Sequence, residues 1–149
     1  MTENRVRVWR IEPHSDAQFL LVLTDDAQQL LPMTIGLCEA MAIESVARTG
    51  STIPRYGTTY ELLQDLITRL GGRLAKVVID DLWHKVYFAK LHLQVDGKSV
   101  TVDARPSDAV AIALRLGAPL YATDSVMAAA NEPEQPEPPD EFGYRPDDL

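Results

Sequence analysis

Between Asp103 and Asp108 the chain reads Asp-Ala-Arg-Pro-Ser-Asp, which puts two carboxylates, a guanidinium and a hydroxyl within six residues. Arg105 offers a planar, bidentate fork that fits the oxygens of a carboxylate or a phosphate. Pro106 suits the first position of a helix, whose unpaired N–H groups and positive end favour an anion nearby. The run can therefore hold an anion, supply carboxylates to a metal ion, or simply cap a helix. A third acid, Glu39, stands in Gly36-Leu-Cys-Glu-Ala40 near the expected start of another helix.

Alternation and turn residues place these groups. Residues 5–12, 19–23 and 30–35 read as strands, with Pro32 restricting the third to an edge or a strand start. Helical spacing covers 37–48, and 59–70 follows, where Leu62, Leu63, Leu66, Ile67 and Leu70 form an apolar face. Residues 74–79 form a β-branched, central strand, and 80–85 read as its turn. Val86 to Val95 alternates and meets Asp96-Gly97, a strong two-residue hairpin signal. A tight turn there sets Leu91 opposite Val102 and Leu93 opposite Val100, with Lys90 opposite Asp103 on the other face. A helix over 106–116 ends at Gly117; 119–122 is a short strand, and Thr123-Asp124-Ser125 caps a last small helix. The expectation is a single α+β domain over 1–130, a mixed or mainly antiparallel sheet covered by about three helices.

Glu39-Ala-Met-Ala-Ile43 and Asp108-Ala-Val-Ala-Ile112 share an acid-Ala-x-Ala-Ile pattern, each after an extended run. Five residues fit chance similarity of two alanine-rich helices as well as duplication. Read as a repeat, they give two strand-helix units, each with a carboxylate at its helix start and small residues that permit close packing.

The 149 residues carry a net charge of -8. Residues 131–149 hold seven acids, one arginine and five of the ten prolines, leaving 15 acids and 13 bases on the rest. A disordered acidic tail on a nearly neutral body is expected, since the tail has little apolar surface to offset its ordering entropy. Near-neutrality neither supports nor excludes nucleic acid, whose usual footprint is a basic stripe. No run reaches the roughly 18 apolar residues of a membrane span, and the first ten residues lack a signal peptide's apolar core, so a cytoplasmic location without a membrane partner is expected. Cys38, the single cysteine, lies in an apolar helical pattern and reads as a buried, inert thiol.

Together, Gly36-Leu-Cys-Glu-Ala-Met-Ala-Ile43, Pro54-Arg55, Glu61-Leu-Leu63, Val86-Tyr-Phe-Ala89 and above all Asp103-Ala-Arg-Pro-Ser-Asp-Ala109, with Pro119 behind it, resemble the bifunctional nuclease domain family over about residues 20–130. The resemblance implies cleavage of both DNA and RNA. Phosphodiester hydrolysis needs an activated water and positive charge against the developing phosphorane. Glu39, Asp103 and Asp108 could serve as base or metal ligands, and Arg105, Arg55 and Lys90 could meet phosphate. No cofactor is evident in the sequence; a divalent metal is possible, and a homo-oligomer, dimer or trimer, is expected through the sheet edges.

Each assignment has a structural counterpart. Asp108 can act as a helix cap, Glu39 as the buried partner of Arg105, and Asp103 with Arg105 can form an ion-pair network reaching Lys90. Ser107 reads as a helix cap rather than a nucleophile, with no histidine near it in sequence to activate it. Asp80, Asp81, His84 and His92 read as surface residues. Where the family is expected to read Pro-Arg-Pro-Leu-Thr-His-Asp-Leu-Leu, this chain has Pro54-Arg-Tyr-Gly-Thr-Thr-Tyr-Glu-Leu-Leu63, one residue longer and with Tyr60 in place of the histidine. A tyrosine cannot replace that histidine as a general base near neutral pH. The turn 81–85, with Trp83, is also larger than the family's, and Trp83 can pack over the sheet edge or stack on a base.

Overall fold

A computed structural model describes residues 2–49 and 59–133. Its elements are β1 (Glu3–Ser15), β2 (Gln18–Asp25), β3 (Leu30–Gly36), α1 (Leu37–Thr49), α2 (Thr59–Arg69), β4 (Gly72–Trp83), β5 (Val86–Val95), β6 (Lys98–Ala104), α3 (Pro106–Leu116), β7 (Leu120–Thr123) and α4 (Asp124–Ala130). The strands form one mixed sheet in the order β3-β2-β1-β7-β4-β5-β6. Only β4 and β7 pair in parallel among its neighbours. The α+β expectation holds, and the short α4 is the last small helix expected after Thr123.

Val6, Leu21, Leu23, Leu31, Val77 and Ile79 line one face of the sheet and pack with Ala40, Ile43, Val110 and Ile112 of α1 and α3 into a single core. The repeated alanines are what let the two helices approach: Ala40, Ala109, Ala111 and Ala113 are all buried. β3 and β6 are the sheet edges. Pro32 sits in the edge strand β3, where a missing N–H is tolerated.

The hairpin register of β5 and β6 is the expected one, with Lys90 opposite Asp103 and Leu91 opposite Val102. β4 is longer than expected. It runs through Asp80 and Asp81 to Trp83, and the turn is only His84 and Lys85, both at positive φ. Such a turn normally uses Asn-Gly, so its own residues conceal it. Asp80 sits at a register shift between Ile79 and Asp81, a bulge that interrupts the alternation.

In three places side chains lie otherwise than their patterns suggest. Cys38 is exposed, because the apolar stripe of α1 that meets the core is Ala40, Ala42, Ile43 and Val46. On α2 the leucines point outward: Leu62, Leu63, Leu66 and Leu70 are all exposed, while Tyr60 is buried. Tyr60, Gln64 and Ile67 form the inward row instead. Ser107 is buried beneath the start of α3 and does not cap it; the N-cap position is Arg105, with no side-chain capping bond. Thr123 does cap α4, accepting from Val126 N. Asn131, expected to begin the tail, closes α4 and donates to Met127 O. Residues 134–149 lie outside the described residues.

Candidate functional site

β6 delivers the chain to Arg105 in extended conformation (φ -65, ψ 141), after which Pro106 starts α3. Arg105 thus stands just ahead of the helix, and its side chain turns back to Asp108 one turn on. Nε donates to Asp108 Oδ2 at 2.7 Å and Nη2 to Asp108 Oδ1 at 3.1 Å, a side-on, bidentate pair. Nη2 also donates to Glu39 Oε1 at 2.9 Å. The two acids of the repeated pattern therefore meet on one guanidinium, each from the first turn of its helix.

Tyr60 completes the cluster. Its hydroxyl donates to Asp108 Oδ1 at 2.8 Å, so that oxygen accepts from both Tyr60 and Arg105. Burial, the bond to Asp108 and the charges of Asp108 and Glu39 hold the phenol well above its ordinary range, so it remains a donor. Arg105 is also raised, chiefly by its hydrogen bonds and charge pairing with Asp108. Beneath Tyr60 lies an arginine the sequence did not single out. Arg115, with a side chain 1% exposed, stacks its guanidinium 5.4 Å from the Tyr60 ring centroid. It donates to Ala42 O and Ala111 O at 3.1 Å and pairs with Glu61 at 3.6 Å, tying α1, α2 and α3 together. An arginine in the last turn of an amphipathic helix ordinarily lies in solvent, so its position carried no signal.

Gly36 has a local reason to be glycine. A Cβ there would lie 2.6 Å from Glu39 Oε2, inside van der Waals contact. The missing side chain lets the Glu39 carboxylate fold back beside the end of β3 while Oε1 stays on Arg105.

The remaining candidates fall elsewhere. Asp103 does not join the cluster: its side chain is 89% exposed and its charged neighbour is Lys90, at 3.7 Å. Lys90 is held more closely by Asp80, at 2.7 Å, and these acids raise it above its usual range, the Asp80 bond foremost. Asp80 is less of a surface residue than expected, its Oδ1 being buried with no hydrogen-bond partner among the described residues. Trp83 is exposed and meets His84 edge to face. Arg55 lies outside the described residues.

Arg105 and Glu39 line a cleft of about 1240 Å³, whose walls include Gln18, Gly36, Tyr87 and Ser107. Arg105 is 68% exposed there, and its Nη1 has no partner among the described residues. Asp108 has both oxygens engaged, whereas Glu39 Oε2 has no hydrogen-bond donor among the described residues. A resident divalent cation fits poorly, because Glu39 and Asp108 converge on a guanidinium that already occupies the space between them. Among the described residues no three His, Cys, Asp or Glu side chains come together as a ligand set. The arrangement can bind an anion through Nη1 and offers one free carboxylate oxygen to accept a proton.

Known proteins bear on this geometry. The family model for the bifunctional nuclease domain matches residues 21–135. An uncharacterised protein of Mycobacterium tuberculosis strain H37Rv is 39% identical over 130 residues, which cover 87% of this chain and 76% of that protein. Bifunctional nuclease 2 of Arabidopsis thaliana is 34% identical over 72% of this chain and 32% of its own length. Bifunctional nuclease 1 of Oryza sativa subsp. indica is 28% identical over 79% of this chain and 36% of its own length. The chain thus spans about a third of these plant relatives. With the family model covering most of its length, the chain belongs to the bifunctional nuclease domain family.

Proposed function

We propose that this chain hydrolyses phosphodiester bonds in DNA and RNA at the Glu39–Arg105 cleft. The observation that carries the reading is the exposed Arg105 guanidinium, fixed in orientation by two carboxylates and still presenting Nη1 to the cleft. A phosphate oxygen bound at Nη1 would meet a fixed positive charge whose attraction strengthens as negative charge builds on the phosphorane oxygens. In this reading Glu39 Oε2 takes a proton from the attacking water, and Asp108 with Tyr60 positions Arg105. Asp103 has no part in this chemistry, and Lys90, neutralised by Asp80, contributes little to substrate binding. A cytoplasmic location and a nucleic-acid substrate belong to the same reading; among the described residues no helix is long and apolar enough to cross a membrane.

A second reading has its own support. Glu39, Asp108 and Arg105 together sum to one negative charge, an arrangement suited to holding α1 against α3 without any reaction. The domain would then be a non-catalytic binding or assembly module.

Cleavage of labelled single-stranded DNA and RNA, with Mg²⁺, with Mn²⁺ and with a chelator, separates the two. Arg105→Ala and Glu39→Gln are expected to lower the rate by a factor of about 100 or more, the scale of losing a charge-stabilising group. Asp103→Asn is expected to cleave like the wild type. Equal cleavage by all four folded proteins would trace the activity to a contaminant and leave the assembly reading.

A further inference from the structure

The outward face of α2 (Thr59–Arg69) does not line the cleft, and nothing among the described residues covers it. Leu62 is 57% exposed, Leu63 40%, Leu66 47% and Leu70 75%. Leu62, Leu66 and Leu70 repeat every four residues, and the bond from Leu70 N to Leu66 O keeps Leu70 in helical register. They make a continuous apolar row about 12 Å long, with Leu63 beside it. Scattered exposed leucines need no explanation, but a contiguous row with a charged rim marks an interaction surface.

The rim indicates what covers the row. Asp65 and Arg69 flank it, both exposed, and neither has an ion-pair partner among the described residues. The helix is acidic at Glu61 and Asp65 and basic at its end, with Arg69. Such a helix is complementary to itself when turned end for end. Antiparallel pairing about Leu66 sets Leu62 of one copy against Leu70 of the other, brings each Asp65 toward the opposite Arg69, and opposes the two helix dipoles.

We infer that α2 is a two-fold self-association surface, on which a second copy of this chain packs its own α2 antiparallel through Leu62, Leu66 and Leu70. A two-fold contact of this kind uses the same patch on both copies and closes as a dimer. It differs from pairing of sheet edges, and it stands whether or not the cleft hydrolyses anything. The opposite side of the same helix carries Tyr60, so the contact also braces the residue that bonds Asp108.

Sedimentation equilibrium of the purified full chain over micromolar concentrations tests this. The wild type is expected to dimerise, and Leu66→Glu to weaken the dimer on the order of 100-fold, since two carboxylates would be buried face to face. Circular dichroism and the thermal midpoint check that this variant is folded. Asp65→Arg and Arg69→Asp are each expected to dimerise more weakly alone, and their equimolar mixture to recover the wild-type affinity, because only the mixed dimer restores both charge pairs. A wild type monomeric throughout the range overturns the proposal, as does a folded Leu66→Glu protein that dimerises normally. Failure of the mixture to recover overturns the antiparallel pairing.

Discussion

At the scale of single residues, the cluster depends on groups that never touch a substrate. Gly36 is the clearest case. In Gly36→Ala the new methyl would fall 2.6 Å from Glu39 Oε2, so the carboxylate must leave its place and loosen its bond to Arg105. Because the clashing atom is the end of a flexible side chain and Arg105 is largely exposed, the expected loss in denaturant unfolding is small, under about 1 kcal/mol, and, where Glu39 is the base, cleavage falls, though less than in Glu39→Gln. Tyr60 makes a different prediction, in pH. Its phenol is raised from the ordinary 10.0, so above that pH the unfolded chain releases a proton that the native chain retains. The unfolded state then binds fewer protons, and stability falls as pH rises. The contribution is complete below pH 10 and declines above it. Tyr60→Phe lacks it, so the stability gap between wild type and variant is expected to narrow from pH 10 upward in urea titrations, with Tyr87 present in both proteins.

The elements follow local rules wherever the residues obey them, and departures have identifiable causes. The Asp96-Gly97 hairpin and the α3 boundaries, with Pro106 at the start and Gly117 at φ 65 at the end, were legible because each uses the residue its backbone favours. The β4–β5 turn was not, because His84 and Lys85 occupy left-handed conformations, at φ 48 and 63, that their side chains disfavour. Replacing Lys85 with glycine is expected to stabilise the hairpin by roughly 0.5–1 kcal/mol, read as a raised urea midpoint with an unchanged slope. A lower midpoint would show that the Lys85 side chain has contacts worth more than the strain. On α2, a leucine-rich face was legible, but its direction was not. Periodicity reports that apolar residues share a side, and only packing shows whether that side meets this molecule's core or another's.

The whole molecule is joined at β1. That strand pairs with β2 on one side and with β7 on the other, and so links β3-β2-β1 to β7-β4-β5-β6. It also buries Val6 and places Lys76 of β4 on Glu3 at 2.8 Å. Deleting residues 2–8 is expected to abolish cooperative unfolding rather than merely lower the midpoint, since β7 would be left with an open edge and the core with a gap. Amide exchange by mass spectrometry checks this: β4 and β7 are expected to be the slowest segments in the intact chain and to lose that protection in the truncated one. Arg115 acts at the same scale, because three helices converge on its buried guanidinium.

The sequence by itself determined the α+β class, the order of the elements, the β5–β6 register and the two acid-bearing helix starts, since all of these rest on local periodicity and turn chemistry. It also held the string that carries the family resemblance. Only the tertiary structure decided which charges meet. Asp103 and Arg105 are two residues apart, yet one faces solvent near Lys90 while the other joins Glu39, 66 residues away. Only the fold put Tyr60 on Asp108, Arg115 beneath Tyr60 and the leucines of α2 on the outside. The physical reason is that charge pairing and burial are properties of through-space distance, which the chain acquires only once the sheet has set its helices side by side.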